Sequence, residues 1–504
     1  MNSNIDWDDA LKDQLPLVAL ADFDGEIGKW LGNNIKPCKI KDNTLDSVCS
    51  YSVKADYRWL RDKTLFTPIL SEDLLGYDCF YPNVEKHTYV TNGQWNVTPE
   101  FKEASYHNVE VWKSEYYKIL SLFRFWNIIE YFHPYKYLNT NNWDDVLKEF
   151  IPRFLESHGE LSYKLMLMEL FSRIEDSHGG LHNDKTIDGH FGTKQIPVEL
   201  FLLNGEVVVK DIFSDFKDKT QVKLGDVVTH IDGITVQFLM ESNRKTIVAS
   251  NVSAMNRELM QRLVRTQKDV VEVTILNQKT LEVEEVEVPT LEYSVLSYIM
   301  KDVPSHRVLN DDIGYIYPGS LKSIDEVNTI LDTFKNKRAI VLDYRCYPSI
   351  ILQHSLPEFI LPHAVEYYTA THFDWKNLGS FYYQSPVAIG KENSNYYKGK
   401  LVVLLNEFST SQPEFETLVY KKGPNTMVIG SNSGGTIGNY TAIVLPGNIV
   451  TMMSGAEVRD VDKTQIQKVG IVPDIYVERT KEGIRQGKDE ILEKALDYIN
   501  RKSE

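Results

Sequence analysis

The chain has only four cysteines, Cys38, Cys49, Cys79 and Cys346, in 504 residues. None sits in a CxxC pair or at metal spacing from a histidine, which argues against a zinc site. Cys38 and Cys49 could close a small loop in an oxidising compartment, and the spacing leaves that open. No run of about 18 apolar residues occurs, so no membrane span is expected. A cation surplus is also missing. The formal charge of −16 excludes the Lys/Arg excess that binding to nucleic acid or an anionic membrane requires. Residues 1–20 carry Asp6, Asp8 and Asp9 and lack a basic-then-apolar pattern, so no signal peptide is expected there.

What is present is ordinary globular material: 42% hydrophobic, 25% charged and 11% aromatic residues. The length exceeds what one core supports, so several domains are expected. Residues 1–105 read as an irregular N-terminal region, with a strand at Thr88–Thr91 before the turn Asn92-Gly93. In residues 106–190 the apolar period becomes helical. Tyr117, Leu120, Phe125, Ile129 and Phe132 mark one helix ending at His133-Pro134. A second starts near Trp143, and a third runs into Asp176-Ser177-His178-Gly179-Gly180, where the glycines stop it.

Residues 191–292 are β-rich. Gly225-Asp226, the apolar Val227, Val228 and Ile231, and Asp232-Gly233 predict a strand between two tight turns. This segment resembles PDZ domains, in which a peptide adds as an extra strand. The matching loop is Gln195-Ile196-Pro197, leading to Val198; Gln195 and Val198 are the expected substrate contacts, although Pro197 has no N–H to give a carboxylate.

Residues 293–504 alternate apolar strands with helices, the pattern of a mostly parallel sheet whose ligands gather at the carboxyl ends of strands. Two such ends stand out. Ala339–Leu342 runs into Asp343-Tyr344-Arg345, read as a structural ion pair. Leu401–Leu405 runs into Asn406-Glu407-Phe408-Ser409-Thr410-Ser411-Gln412-Pro413-Glu414. Ser411 there suits a helix N-cap, with Glu414 completing a capping box, and it equally suits a nucleophile at the helix N-terminus.

The order of these pieces, with Val469-Gly470-Ile471-Val472-Pro473-Asp474 and Gly487-Lys488-Asp489-Glu490-Ile491-Leu492, resembles the C-terminal processing (tail-specific) serine peptidases over roughly 107–500. The resemblance implies a multidomain α+β protein whose last domain is a ClpP/crotonase-like α/β peptidase core. It implies Ser411 as the nucleophile. One branch of the family activates the serine with a lysine, but Thr436 stands where that lysine would be. The tricorn-like branch uses a histidine preceded by a serine, and Ser177-His178 fits. An imidazole can take a hydroxyl proton near neutral pH. The branch's further glutamate aligns near Gln467. For the oxyanion hole the resemblance implies the amide of Gln412 and one from the loop Tyr347-Pro348-Ser349-Ile350; Pro348 has none, which leaves Ser349.

The expected function is therefore a serine endopeptidase acting on peptides or unfolded or C-terminal protein segments, with no cofactor or metal. The alternatives are a catalytically weak peptide-binding scaffold and a carrier of small apolar ligands. The resemblance implies a bacterial periplasmic or cell-surface location; the oligomeric state stays open.

Overall fold

The computed structural model describes residues 51–53, 90–93, 98–277, 280–293, 303–310, 312–374 and 379–501. Cys38, Cys49 and Cys79 lie outside these residues, as does most of the expected 1–105 region.

Three helices open the well-described part: α1 (Glu115–Phe132), α2 (Trp143–Glu156) and α3 (Glu160–Ser172). The side chain of Asn142 caps α2 by accepting the amides of Asp144 and Asp145. The helices bury Leu122, Phe125, Phe150, Phe154 and Phe171 in one core. That core also takes Ile443, Leu445 and Met453 from a hairpin far along the chain. The turn after α3, which carries Ser177 and His178, is thus fixed against the C-terminal half rather than hanging from the helices.

The β-rich block forms an antiparallel sheet of β1 (Val198–Leu203), β2 (Glu206–Ile212), β3 (Val227–Ile231), β4 (Val270–Leu276) and β5 (Val283–Pro289), in the order β5-β4-β3-β2-β1. Gly225 (φ +85°) and Gly233 (φ +73°) make the turns that bound β3. Helix α4 (Val252–Leu263) packs along β1.

The last block holds a sheet of β6 (His306–Asn310), β7 (Ile313–Ile316), β8 (Ala339–Asp343), β9 (Lys400–Leu405), β10 (Thr426–Gly430) and a short strand, Ile475–Tyr476, paired in that order. All pairs but β6–β7 are parallel. Strands β7, β8 and β9 read as unbroken apolar runs because both faces are covered. Val403 and Leu405 pack on one side with Leu418 and Tyr367, and Val402 and Leu404 on the other with Ile491 and Ala495. Helix α5 (Gln412–Tyr420) follows β9 directly, and the hairpin β11 (Tyr440–Leu445) and β12 (Ile449–Ser454) reaches back to the helical core. The architecture is the multidomain α+β type the sequence predicts.

Candidate active site

The end of β9 is tied down before the chain turns. The Ser409 hydroxyl donates to the Tyr344 carbonyl (2.8 Å) and accepts the Asn406 amide (3.0 Å), so the loops after β8 and β9 are joined. Ser411 is then left at φ +66°, ψ −104°, a strained conformation for a residue with a Cβ. Its amide is held twice, by the Thr436 carbonyl (2.9 Å) and by Glu414 Oε2 (2.9 Å). Glu414 does more than close the helix start. Fully buried, it also accepts the amides of Thr436 (3.0 Å) and Gly435 (2.8 Å) and the hydroxyl of Ser433 (2.5 Å). Burial pushes its carboxyl up to about 7, against the pull of those four donors.

The Ser411 Oγ faces Nε2 of His178 at 3.4 Å, although 233 residues separate them. The other ring nitrogen, Nδ1, lies 2.9 Å from the Ser454 hydroxyl at the end of β12 and 3.3 Å from Oδ1 of Asp176. Asp176 is fully buried. It accepts the His178 amide (3.1 Å) in a local turn and the Ser454 amide (2.6 Å), and it faces His133 Nε2 (3.3 Å). Burial works against its ionisation, but hydrogen bonds and charge from His133 and His178 hold its carboxyl well below the usual range. Neither Asp176 nor Ser454 was assigned a role from sequence. Asp176 lies two residues before His178, a spacing that lets its carboxylate fold back onto that residue's amide. Ser454 carries no local signal.

Other expected site residues fall elsewhere. The Ser177 side chain accepts the Ser250 amide (2.8 Å), and the Ser177 amide donates to the Ser250 hydroxyl (2.8 Å); this reciprocal pair fastens the turn to the segment before α4. Gln467 is buried and accepts the Ile437 amide (2.9 Å), bracing the loop that carries Thr436. Neither side chain is bonded to His178. Thr436, at the position of the other branch's lysine, bonds Ser250 (2.7 Å), while Lys421 and Lys422 pair with Asp474 and Asp460.

The oxyanion expectation for Ser349 needs correction. Its amide donates to the Pro318 carbonyl (3.0 Å) and its hydroxyl to the Gly319 carbonyl (2.5 Å), so no donor remains to face a substrate. The amide of Gln412 makes no hydrogen bond with any described residue, and in the loop after β8 the same holds for the amides of Cys346, Tyr347, Ile350 and Ile351. Gln412 opens α5, where first-turn amides lack helical acceptors. Beneath it, buried Glu416 accepts Gln412 Nε2 (2.9 Å), the Leu352 amide (2.9 Å) and the Tyr420 hydroxyl (2.8 Å), linking the helix start to the loop after β8. Asp343 and Arg345 form the expected ion pair (2.7 Å), extended to Asp489.

The two substrate contacts expected at Gln195 and Val198 are likewise displaced. Lys194–Gln195 is the middle of a three-stranded sheet, paired to Leu291 on one side and Arg265 on the other, so no further strand can add there. Val198 is in the core. Among the described residues, an unpaired sheet edge lies a few residues on, at β1. From Glu199 to Leu203, β1 lines a groove of about 260 Å³ together with α4, Phe408 and Arg479.

Residues 351–477 match the model of peptidase family S41. Among solved structures, the chain is similar to mature CPAF complexed with lactacystin, with a TM-score of 0.59, 13% identity and coverage of 76% of this chain and 97% of that one. It is similar to mature CPAF with a TM-score of 0.59, 12% identity and coverage of 77% and 98%. The photosystem II D1 C-terminal processing protease matches with a TM-score of 0.41, 14% identity and coverage of 75% and 98%. For the two CPAF structures, at these identities, the likeness is one of fold. No curated protein matches the chain.

Proposed function

We propose that this chain, a serine-type peptidase whose α/β domain is that of family S41, is an endopeptidase of the Ser/His kind acting on peptides or unfolded protein segments. Ser411 Oγ attacks the scissile carbonyl while His178 Nε2 takes its proton. His178 then gives that proton to the leaving amine, and water, activated by the same imidazole, frees the acyl group from Ser411. The amide of Gln412 supports the oxyanion, and the second donor comes from the Ile350–Ile351 stretch of the loop after β8. The edge of β1 beside α4, unpaired among the described residues, suits an extended peptide added as a strand, in the manner of a PDZ-like module.

One observation carries this reading. His178 and Ser411 come from distant blocks, yet the ring nitrogen and hydroxyl stand 3.4 Å apart, with the other ring nitrogen already engaged. A merely capping serine has no use for such a partner. The test is labelling with a fluorophosphonate, or with lactacystin, the ligand in the CPAF complex, together with cleavage of casein. Wild type should label and cleave. Ser411→Ala should not label, and both Ser411→Ala and His178→Ala should lose at least about 10³-fold in kcat. Wild type that neither labels nor cleaves would leave the scaffold reading instead.

A further inference from the structure

His178 can act as a base through Nε2 only if its proton sits on Nδ1, so something must accept a hydrogen bond at Nδ1 and tolerate the positive ring that forms. The position given to an acid by family resemblance is Gln467, which is neutral and spends its oxygen on the Ile437 amide. We propose that Asp176 is the positioning residue that fixes the His178 tautomer and balances the imidazolium, with the Ser454 hydroxyl as the nearer, neutral acceptor and His133 fixing the carboxylate from behind. The proposal rests on the Ser411/His178 reading and adds to it the source of the negative charge.

The geometry supports a division of labour. Ser454 Oγ is closer to Nδ1, at 2.9 Å, than Asp176 Oδ1, at 3.3 Å. A hydroxyl can accept the Nδ1 proton in the resting enzyme but carries no charge to offset an imidazolium. Asp176 does, and its placement is built. Oδ1 is held by the His178 amide, and Oδ2 by the Ser454 amide and by His133, which is itself buried. The same carboxylate therefore orients both the histidine and the serine beside it. Other charged or titratable groups around the ring are committed or distant. Glu175 is paired with Lys468, Glu414 lies under the nucleophile, and the Tyr440 ring stands 6.3 Å from the imidazole.

The substitution Asp176→Asn tests this. An asparagine amide turned toward Nδ1 would donate, which favours the tautomer with its proton on Nε2 and blocks proton acceptance from Ser411. Steady-state kinetics on a fluorogenic peptide should show kcat reduced at least about 10²-fold with KM little changed, whereas Ser454→Ala should cost less than about 10-fold. In ¹⁵N-histidine-labelled protein the His178 Nδ1 proton should resonate far downfield, vanish in His178→Ala and survive in Ser454→Ala. A folded Asp176→Asn enzyme with kcat within about threefold of wild type would overturn the assignment. So would loss of the downfield proton in Ser454→Ala, an outcome that decides the question even if Asp176→Asn does not fold. Full activity in Ser411→Ala would instead sink the underlying peptidase mechanism.

Discussion

Replacing Glu414 by glutamine separates what the buried carboxylate does for stability from what it does for the nucleophile. Each of its oxygens accepts two donors: the amides of Ser411 and Thr436 on Oε2, the Ser433 hydroxyl and Gly435 amide on Oε1. Whichever way a glutamine turns, its NH₂ meets two of them. The Ser433 hydroxyl can rotate away but an amide cannot, so at least one buried N–H loses its acceptor, at about 1–3 kcal/mol. Against this, glutamine removes a buried charge. A carboxyl raised from 4.5 to about 7 carries a penalty of roughly 3 kcal/mol when ionised. The two effects nearly cancel above neutrality, so Glu414→Gln should fold with similar stability there. The nucleophile should nonetheless suffer in either orientation, because the NH₂ meets the Ser411 and Thr436 amides on one side or the Gly435 amide on the other, next to the Thr436 carbonyl that also holds Ser411. A shift of about 1 Å is enough for a loss on the order of 10²-fold in kcat. The sign with pH is distinctive. A carboxyl whose native pKa lies above its unfolded value contributes stability that is full below about 4.5 and is lost as pH rises through about 7. Urea unfolding should therefore show wild type gaining roughly 2–3 kcal/mol over Glu414→Gln between about pH 8 and about pH 5. A stability difference independent of pH, or wild-type kcat in the variant, would refute the reasoning.

Three further substitutions probe the frame. Arg345→Leu leaves buried Asp343 with the Tyr315 hydroxyl and one amide as partners, so thermal unfolding should show a loss of about 3–5 kcal/mol. Gly430 sits at φ +146°, where a Cβ would run into the Leu405 carbonyl; Gly430→Ala should cost about 2 kcal/mol or more in chemical denaturation by disturbing the β9–β10 pairing. Ser349→Ala removes the hydroxyl bond to Gly319 but keeps the amide on Pro318, so it should lower stability by about 1 kcal/mol and leave kcat within about threefold.

The parts legible in the sequence were those whose cause is local. Unbroken apolar runs at Ile313–Ile316, Ala339–Leu342 and Leu401–Leu405 announce strands covered on both faces, and those strands pair in parallel as expected. The turn into α5 was readable for the same reason, since first-turn residues act on their immediate neighbours. The stop expected at Gly179-Gly180 comes earlier: α3 ends at Ser172, and the glycines belong to the turn beyond it. Donor bookkeeping failed wherever the partner was remote. Excluding Pro348 as a donor was sound chemistry, but it could not reveal that Pro318, thirty-one positions upstream, already takes the Ser349 amide. Gln195 reads as part of a peptide-binding loop because a two-residue strand in a separate small sheet leaves no periodic trace.

The helper group for His178 shows the same limit most sharply. Adjacency in sequence favours Ser177, but its hydroxyl is committed to the Ser250 amide. The serine that reaches Nδ1 is Ser454, 276 residues away, brought in because Ile443, Leu445 and Met453 of its hairpin complete the core of the helical block. Its position next to the imidazole is therefore a packing consequence, fixed by apolar contacts rather than by any motif around it. This makes the hairpin's core contacts part of the active-site geometry. Met453→Ala should lower stability by about 2–5 kcal/mol as a large-to-small core change. It should also reduce kcat, because Ser454 is the next residue and donates its amide to Asp176. Ile330→Ala serves as the control, a core truncation of similar cost within the sheet domain's own cluster. Measured well below both melting temperatures, an equal loss of kcat in the two variants would show that the hairpin has no special hold on His178.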